Sequence, residues 1–120
     1  MAISQWMTLV LAAAIAFFGI RAALDPRGAA LAYGVPVPDG TPPTPFLEVK
    51  ANRDVVLGIF LVVVAFASRS TLASVLFAGA LAPAADAWIV SRHGKMSATP
   101  VHLVTAAYMI VAGALAISGH

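Results

Sequence analysis

Asp86 and His102 are the residues whose types and positions best suit acid–base chemistry. Asp86 lies inside an apolar helical segment, about 9–10 Å from its predicted end at 1.5 Å per residue. A carboxylate facing lipid at that depth would be costly, so we expect Asp86 to face other helices and to have a partner. His102 lies in the first turn of a predicted helix, where the helix dipole favours a neutral ring that can donate and accept a proton. The two residues form the candidate catalytic pair.

Arg21, Arg53 and Asp54 are candidates for holding a ligand beside that pair. Arg21 lies about one turn inside the end of the first predicted helix. It either binds an anion or a carbonyl group or reaches the membrane surface as an anchor. Arg53 and Asp54 lie about 12–14 Å along the second spanning helix, a depth that favours an inward-facing, paired arrangement.

Glu48 and Asn52 complete the set of candidate ligand-binding residues. With Val55 they follow an i, i+4, i+7 spacing, which places them on one face of a helix. For Glu48 and neighbouring Lys50, close to the helix start, a solvated rim is the favoured alternative. Lys50 and Asp54 are spaced for an i,i+4 ion pair.

The composition places these residues in a membrane protein. Of 120 residues, 61% are hydrophobic and 10% charged, whereas soluble domains carry about 25% charged residues. Four apolar runs can each be extended to about the 20 residues that cross a bilayer. The prediction is an all-α, up-down-up-down, four-helix integral membrane bundle forming one domain, 1–120. Its spans are approximately 5–24, 45–68, 71–92 and 100–118, and loop 25–44 carries a short interfacial helix over Arg27–Tyr33.

Capping residues and prolines set the predicted helix ends. Ser4 is the expected cap of the first helix, and Ser70 or Thr71 that of the third. Polar residues followed by proline predict three further starts, at Asp25-Pro26, Thr44-Pro45 and Thr99-Pro100. Gly34 suits the end of the short helix. Pro83 cannot donate to the carbonyl of Gly79, so the third span is expected to kink. The tight turn at 68–71 predicts antiparallel neighbouring helices.

The distribution of the charged residues predicts the location of the protein, and the small residues predict how its helices associate. Six of the seven Lys and Arg, with all five carboxylates, fall on one predicted membrane face. The positive-inside rule makes this face, with loops 25–44 and 92–99, cytoplasmic in an inner membrane and puts both termini outside. The partners expected are the lipid bilayer and a lipophilic small molecule. Small residues along the helices pack one bundle or, alternatively, form a homo-oligomer face.

Several classes of protein are disfavoured. The absence of cysteine excludes disulfides, thiolate metal sites and thiol relays. His93 and His102 lack the spacing of a metal or haem site, so no metal and no cofactor is predicted. The net charge of +2 belongs to one membrane face and does not indicate nucleic-acid binding.

A family resemblance adds to this interpretation. Its residues are Gly19-Ile20-Arg21, Asp25-Pro26, Tyr33-Gly34-Val35-Pro36, Arg53-Asp54, Gly58, Asp86 and His102. This pattern resembles a family of small four-helix membrane proteins of bacteria and fungi that is catalogued as a domain of unknown function and is similar to DoxX-like membrane proteins. The resemblance implies a fold and a location, and it matches Arg21, Pro26, Gly34, Arg53, Asp54, Asp86 and His102 to the family's polar and turn positions. It implies no reaction.

Three functions remain open. In the first, a polar pocket at the charged end binds a lipophilic small molecule, Asp86 and His102 transfer a proton, and Arg21 or Arg53 holds an oxygen. Isomerisation, cyclisation or cofactor-free oxidation suits such a set. In the second, the protein is an accessory subunit that docks a membrane partner. The third, a small-molecule exporter, is weakened because the first helix lacks an acidic residue near the midplane.

The predicted topology is testable with a cysteine introduced as Asp39→Cys, since the chain has no other cysteine. The asymmetry of Lys and Arg places this loop in the cytoplasm. A membrane-impermeant thiol reagent added to intact cells should therefore leave the cysteine unlabelled. Ready labelling from outside would reverse the topology.

Overall fold

The computed structural model describes residues 1–120 and contains helices without strands. The helices are α1 (Ile3–Leu24), α2 (Pro26–Tyr33), α3 (Pro45–Ala65), α4 (Arg69–Gly79), α5 (Leu81–His93) and α6 (Thr99–Ser118), with a 3-10 turn at Met96–Ala98 before α6. The protein is therefore all-α, as the apolar runs predict.

Three helical segments are long and apolar enough to cross a membrane. They are Ile3–Leu24, Arg69–His93 and Met96–Ser118, with mean hydropathy of 2.1, 1.6 and 1.9. α3 has 21 residues but carries four charged side chains in its first half, so it does not qualify by composition. The structure supports a membrane protein with three such segments and does not confirm the predicted four-span bundle.

The outer surface is apolar. Only 25 of the 120 residues are buried, and large side chains such as Phe17, Val63 and Leu81 are more than 60% exposed. A soluble protein rarely exposes a continuous apolar surface of this kind, whereas lipid solvates it. The surface agrees with a membrane location.

The helices pack in the order α3, α1, α6, then α4 with α5. α1 packs most extensively against α3, and α6 packs against α1, α4 and α5. α3 and α4, although joined by a tight turn, contact one another only slightly. The turn brings the end of α3 next to the start of α4. Along their lengths, however, α3 packs against α1 and α4 packs against α6. A single core of Leu, Ala, Val and Met side chains from α1, α3, α4 and α6 fills the end away from the charges.

The close contact of α1 with α3 depends on two glycines. A Cβ on Gly58 would stand 2.8 Å from the carbonyl oxygen of Ala12, and one on Gly19 would stand 2.8 Å from the backbone nitrogen of Val55. Real Cβ atoms do not approach backbone so closely. The two backbones therefore touch at both places, as small residues allow in membrane helices.

Helix starts differ in part from the predicted ones. α1 begins at Ile3 rather than after Ser4, and the amide of Ala2 donates to Oε1 of Gln5 at 2.8 Å. Ser4 is not a cap: it is buried, and its hydroxyl donates to the carbonyl of His120 at 2.7 Å. The cap of α4 is Ser68, two residues before Ser70 and three before Thr71, because its hydroxyl oxygen accepts from the amide of Thr71.

Two other span limits need correction. α3 ends at Ala65, earlier than the predicted 68, and the third span divides into α4 and α5 at Ala80. The interruption lies where Pro83 has no amide to donate to the carbonyl of Gly79, which is the position at which the sequence predicts a disturbance of the helix.

The short helix between the first two spans is confirmed and begins one residue earlier than predicted. Its N-cap is Asp25, whose carboxylate accepts from the amide of Gly28 at 2.9 Å, and Pro26 occupies the first helical position. Gly34 ends it in the left-handed conformation at φ 106°. α2 therefore turns back across the end of α1 and presents Tyr33 to the other helices.

The contact of α1 with α3 gives a stability prediction for Gly58→Ala. The added methyl would force two backbones apart, so we expect the protein to lose about 1–3 kcal/mol, as in other overpacked cores. Gly79→Ala is the matched control, since its methyl would meet only the flexible end of Met109. Unfolding in mixed detergent micelles measures both. Equal losses would show that helix contact is not the cause.

Candidate functional site

Tyr33 is the centre of a polar group of side chains at the charged end. Its ring lies edge-on to the ring of His102, with centroids 4.5 Å apart. Its backbone carbonyl lies 2.9 Å from Nε2 of His102. Because a carbonyl can only accept a hydrogen bond, Nε2 carries a proton and donates it. In the neutral ring, Nδ1 then remains as an acceptor.

Lys50 and Asp54 approach Tyr33 from α3. Nζ of Lys50 stands 4.7 Å from the centroid of the Tyr33 ring, a cation–π distance. The same nitrogen lies 2.6 Å from a carboxylate oxygen of Asp54, so the predicted i,i+4 pair is formed. The tyrosine ring thus contacts an ion pair from α3 as well as the imidazole from α6.

Asp86 approaches the hydroxyl of Tyr33 from α5. Burial raises the pKa of Tyr33, and a side-chain hydrogen bond with Asp86 and the negative charges of Asp86 and Asp54 raise it further. The folded protein therefore binds the phenol proton more tightly than the unfolded chain does. This contribution to stability is complete below about pH 10, the ordinary pKa, and is lost as pH rises through the higher folded value.

We call Tyr33, Lys50, Asp54, Asp86 and His102 the Tyr33 cluster. Its members come from α2, α3, α5 and α6, and His102 is the most buried, at 8% exposure. The other four are half-buried. The cluster contains one ion pair, and no Lys, Arg or His nitrogen lies within 4.0 Å of the Asp86 carboxylate.

Of the residues predicted to form a site, the structure gathers Asp54, Asp86 and His102 around Tyr33. Asp86 and His102 do not bond to one another and instead contact different parts of that tyrosine. Arg21 and Arg53 are exposed and form no salt bridge. The inward-facing, paired arrangement expected of Arg53 is therefore not observed, whereas Asp54 is half-buried and paired with Lys50.

Glu48 and Asn52 lie elsewhere. Both are exposed and line, with Ala23, Ala51 and Val55, a shallow depression of about 400 Å³ between α1 and α3. Their shared helix face agrees with the i, i+4, i+7 spacing. This face of α3 is separate from the one that carries Lys50 and Asp54. The residues predicted to line one pocket therefore lie in two separate places on the protein.

Sequence reasoning did not identify Tyr33 as a site residue, and it assigned Lys50 to the rim. The signal available for Tyr33 was its place as the last residue of α2, directly before the glycine that ends the helix. Only the folded chain brings this residue to His102, 69 positions away.

Loop contacts hold α2 in this position. The amide of Lys95 donates to the carbonyl of Gly34 at 2.6 Å, which joins the end of α2 to the loop after α5. Arg27 donates to the carbonyls of Val37, Pro38 and Thr41 and so folds the proline-rich connector back on α2. α2, which carries Tyr33, is therefore held at its end by a backbone hydrogen bond and near its start by the side chain of Arg27.

A comparison with protein families matches residues 12–116 to Domain of unknown function (DUF4267). The chain belongs to this family. The matched residues include all five members of the Tyr33 cluster and both glycines of the contact between α1 and α3. Neither the curated proteins nor the solved structures contain a match, so the similarity to DoxX-like proteins is not shown.

The contact between Asp86 and Tyr33 is testable by titration. In a Tyr108→Phe background, Tyr33 is the only tyrosine. There, Asp86→Asn removes the nearby negative charge and should lower the pKa of Tyr33, which burial still keeps above about 10. Ultraviolet absorbance of the phenolate follows the titration. Asp39→Asn, in the exposed connector, should leave the pKa unchanged, and an equal response of the two variants would contradict the contact.

Proposed function

We propose that this protein spans the membrane with four helices and binds the polar head of a lipophilic small molecule at the Tyr33 cluster. The observation that carries the proposal is the convergence of charged and hydrogen-bonding side chains from four helices beside an apolar, lipid-facing surface. Binding sites for small molecules commonly combine an apolar lining with a few convergent polar groups. The tail of such a ligand would lie along the apolar helices.

The length of α3 supports the fourth span. Its 21 residues extend about 31 Å at 1.5 Å per residue, close to the thickness of the hydrocarbon core. Its charged side chains do not prevent insertion if they are paired or turned toward other helices. Lys50 and Asp54 meet that condition through their ion pair, and exposed Glu48 and Arg53 lie near enough to the helix start to reach headgroups.

The chemistry of the cluster favours binding, with acid–base catalysis as an extension of it. The Tyr33 hydroxyl is protonated over the physiological range, since an ordinary tyrosine pKa is about 10 and burial raises that of Tyr33 further, so it can donate a hydrogen bond. Asp86 is the group able to accept a proton from a ligand. His102 uses Nε2 to hold the Tyr33 carbonyl, which makes it a positioning residue for Tyr33 rather than a direct partner of Asp86.

The membrane location of the protein and its relationship to another family are further parts of the same proposal. We place the Tyr33 cluster at the cytoplasmic side of an inner membrane, on the asymmetry of Lys and Arg. A DoxX-like relationship remains a proposal about fold alone. Transport is disfavoured by the packed core beyond the cluster, where Leu76, Ala112 and Ala116 have 0% exposure.

Mass spectrometry of the protein purified from its native membrane tests the proposal. A lipophilic compound should co-purify with the wild type and with Asp39→Asn, and it should be depleted with Asp86→Asn. The asparagine is close in shape and less costly to bury, so the fold should be retained. Any proton transfer to the bound compound should then be lost. Recovery of a stoichiometric protein partner instead, with no bound compound, would favour the accessory-subunit function.

A further inference from the structure

A depression of about 440 Å³ lies at the end of the protein opposite the Tyr33 cluster. The first residues of α1 and of α4 line it, and its most buried lining residues are Ser4 and Leu72, each 2% exposed. α1, the segment formed by α4 and α5, and α6 are each long and apolar enough to cross a membrane. The start of the first two and the end of the third meet at this depression. It therefore lies where membrane-crossing helices would reach the lipid headgroups.

Arg69 is the charged side chain that lines this depression. The other six Lys and Arg residues belong to the end of the Tyr33 cluster, and the positive-inside rule gives no reason for a lone arginine at the opposite end. The guanidinium group rests on the end of α6, so close that a Cβ on Gly119 would stand 2.6 Å from Nη1 of Arg69. No carboxylate lies within 4.0 Å of it. Its N–H groups are therefore held beside the depression and can donate to an anion there.

The uncharged lining of the depression combines hydrogen-bonding groups with apolar surface. Gln5 donates one N–H of its side-chain amide to the carbonyl of Ala65 at 3.0 Å, and the amide carries a second N–H. Ser68 adds a hydroxyl group. Met1, which is 60% exposed, and Ala67 add apolar surface. A ligand with an anionic head and an apolar tail would find a partner for each part here.

We propose that this depression binds a phosphate group, which Arg69 holds through its guanidinium group. The planar fork of N–H donors matches two phosphate oxygens. An anionic phospholipid presents a phosphate at this depth, and its acyl chains would lie along exposed Met1 and Phe66; free phosphate is a second source of the same chemistry. Phosphatidylcholine is disfavoured because its choline cation would add a second positive charge beside Arg69. The site is separate from the Tyr33 cluster, so the inference does not depend on the proposed function.

The test measures lipid binding at this end of the protein alone. In a Trp88→Phe background, Trp6, which follows Gln5, is the only tryptophan, and lipids with brominated chains quench its fluorescence when they lie beside it. In vesicles that mix the two lipids, we expect phosphatidylglycerol to be preferred over phosphatidylcholine by up to about fivefold, the value of an exposed ion pair. Arg69→Gln should abolish this preference. Arg92→Gln, which removes a cation from the opposite end, should retain it. Circular dichroism and thermal melting verify that both variants fold.

Several outcomes would overturn the assignment. One is an equal affinity for the two lipids, and another is a preference that persists in Arg69→Gln. A third is a lower melting temperature of Arg69→Gln with unchanged lipid binding, which would leave Arg69 only the role of a cation at the C-terminal end of α6. The parent protein gives a test without Arg69→Gln: high sodium chloride should reduce the preference by screening, and insensitivity to salt would contradict it.

Inorganic phosphate distinguishes the two sources of the phosphate group. It is added to the parent protein in the mixed vesicles, and sodium chloride of equal ionic strength is the control. Loss of the preference for phosphatidylglycerol with phosphate, but not with chloride, would identify free phosphate as a ligand of Arg69. Retention of the preference in both salts would identify the phospholipid as the ligand.

Discussion

The backbone contact between α1 and α3 determines how the charged side chains of α3 are distributed. Gly19 and Gly58 let the two helices touch at two places about one to two turns apart on each helix, and two contacts fix the rotation of α3 about its own axis. With that rotation set, Glu48 and Asn52 border the seam with α1. Lys50 and Asp54 then turn toward Tyr33, and Arg53 turns outward. A looser contact between α1 and α3 would not fix this orientation of the charged side chains of α3.

Tyr33 converts a set of separate polar side chains into one interacting group. Its ring receives the cation of Lys50 and the edge of His102, its carbonyl accepts the imidazole proton, and its hydroxyl meets Asp86. An aromatic ring can do this without adding a charge of its own, which matters where water is scarce. The raised pKa of Tyr33 is the measurable consequence, because burial, and after it the two nearby carboxylates, makes the phenolate unfavourable.

The parts of this structure that the sequence predicts are those with local causes. α2 follows from Asp25-Pro26 and Gly34, and the interruption near Ala80 follows from Pro83, since each effect acts within one helical turn. The i,i+4 pair of Lys50 with Asp54 is local in the same sense. Helix ends shifted by two or three residues where a distant partner intervened, as at Ser4, whose hydroxyl bonds to His120 instead of capping α1.

The candidate site was less predictable, because it depends on helix rotation and on contacts between distant segments. Adjacent positions on a helix differ by about 100°, so Arg53 and Asp54, one residue apart, face different surroundings. Composition could place Arg21, Arg53, Asp86 and His102 at one end of the protein but could not orient them. Tyr33 was missed for a related reason, since an aromatic residue in an interfacial helix ordinarily anchors to the membrane surface.

The mixed character of α3 explains why α2 lies where it does. The long uncharged stretch of α3 is Val55–Ala65. It extends about 16 Å at 1.5 Å per residue, which is about half the thickness of the hydrocarbon core. The remaining half of α3 needs an environment that tolerates its charges. The longest dimension of the protein, 51 Å, exceeds that core, so in the proposed four-span arrangement the charged end would extend to the headgroup region. There α2 and its tyrosine cover Lys50 and Asp54 on the protein side, while the backbone bond between Lys95 and Gly34 holds that cover in place. In that proposed arrangement, removal of α2 would expose the ion pair of Lys50 and Asp54 to lipid and would take away the hydroxyl of Tyr33 beside Asp86, so the short helix would be a structural requirement of α3 and not simply a connection between helices.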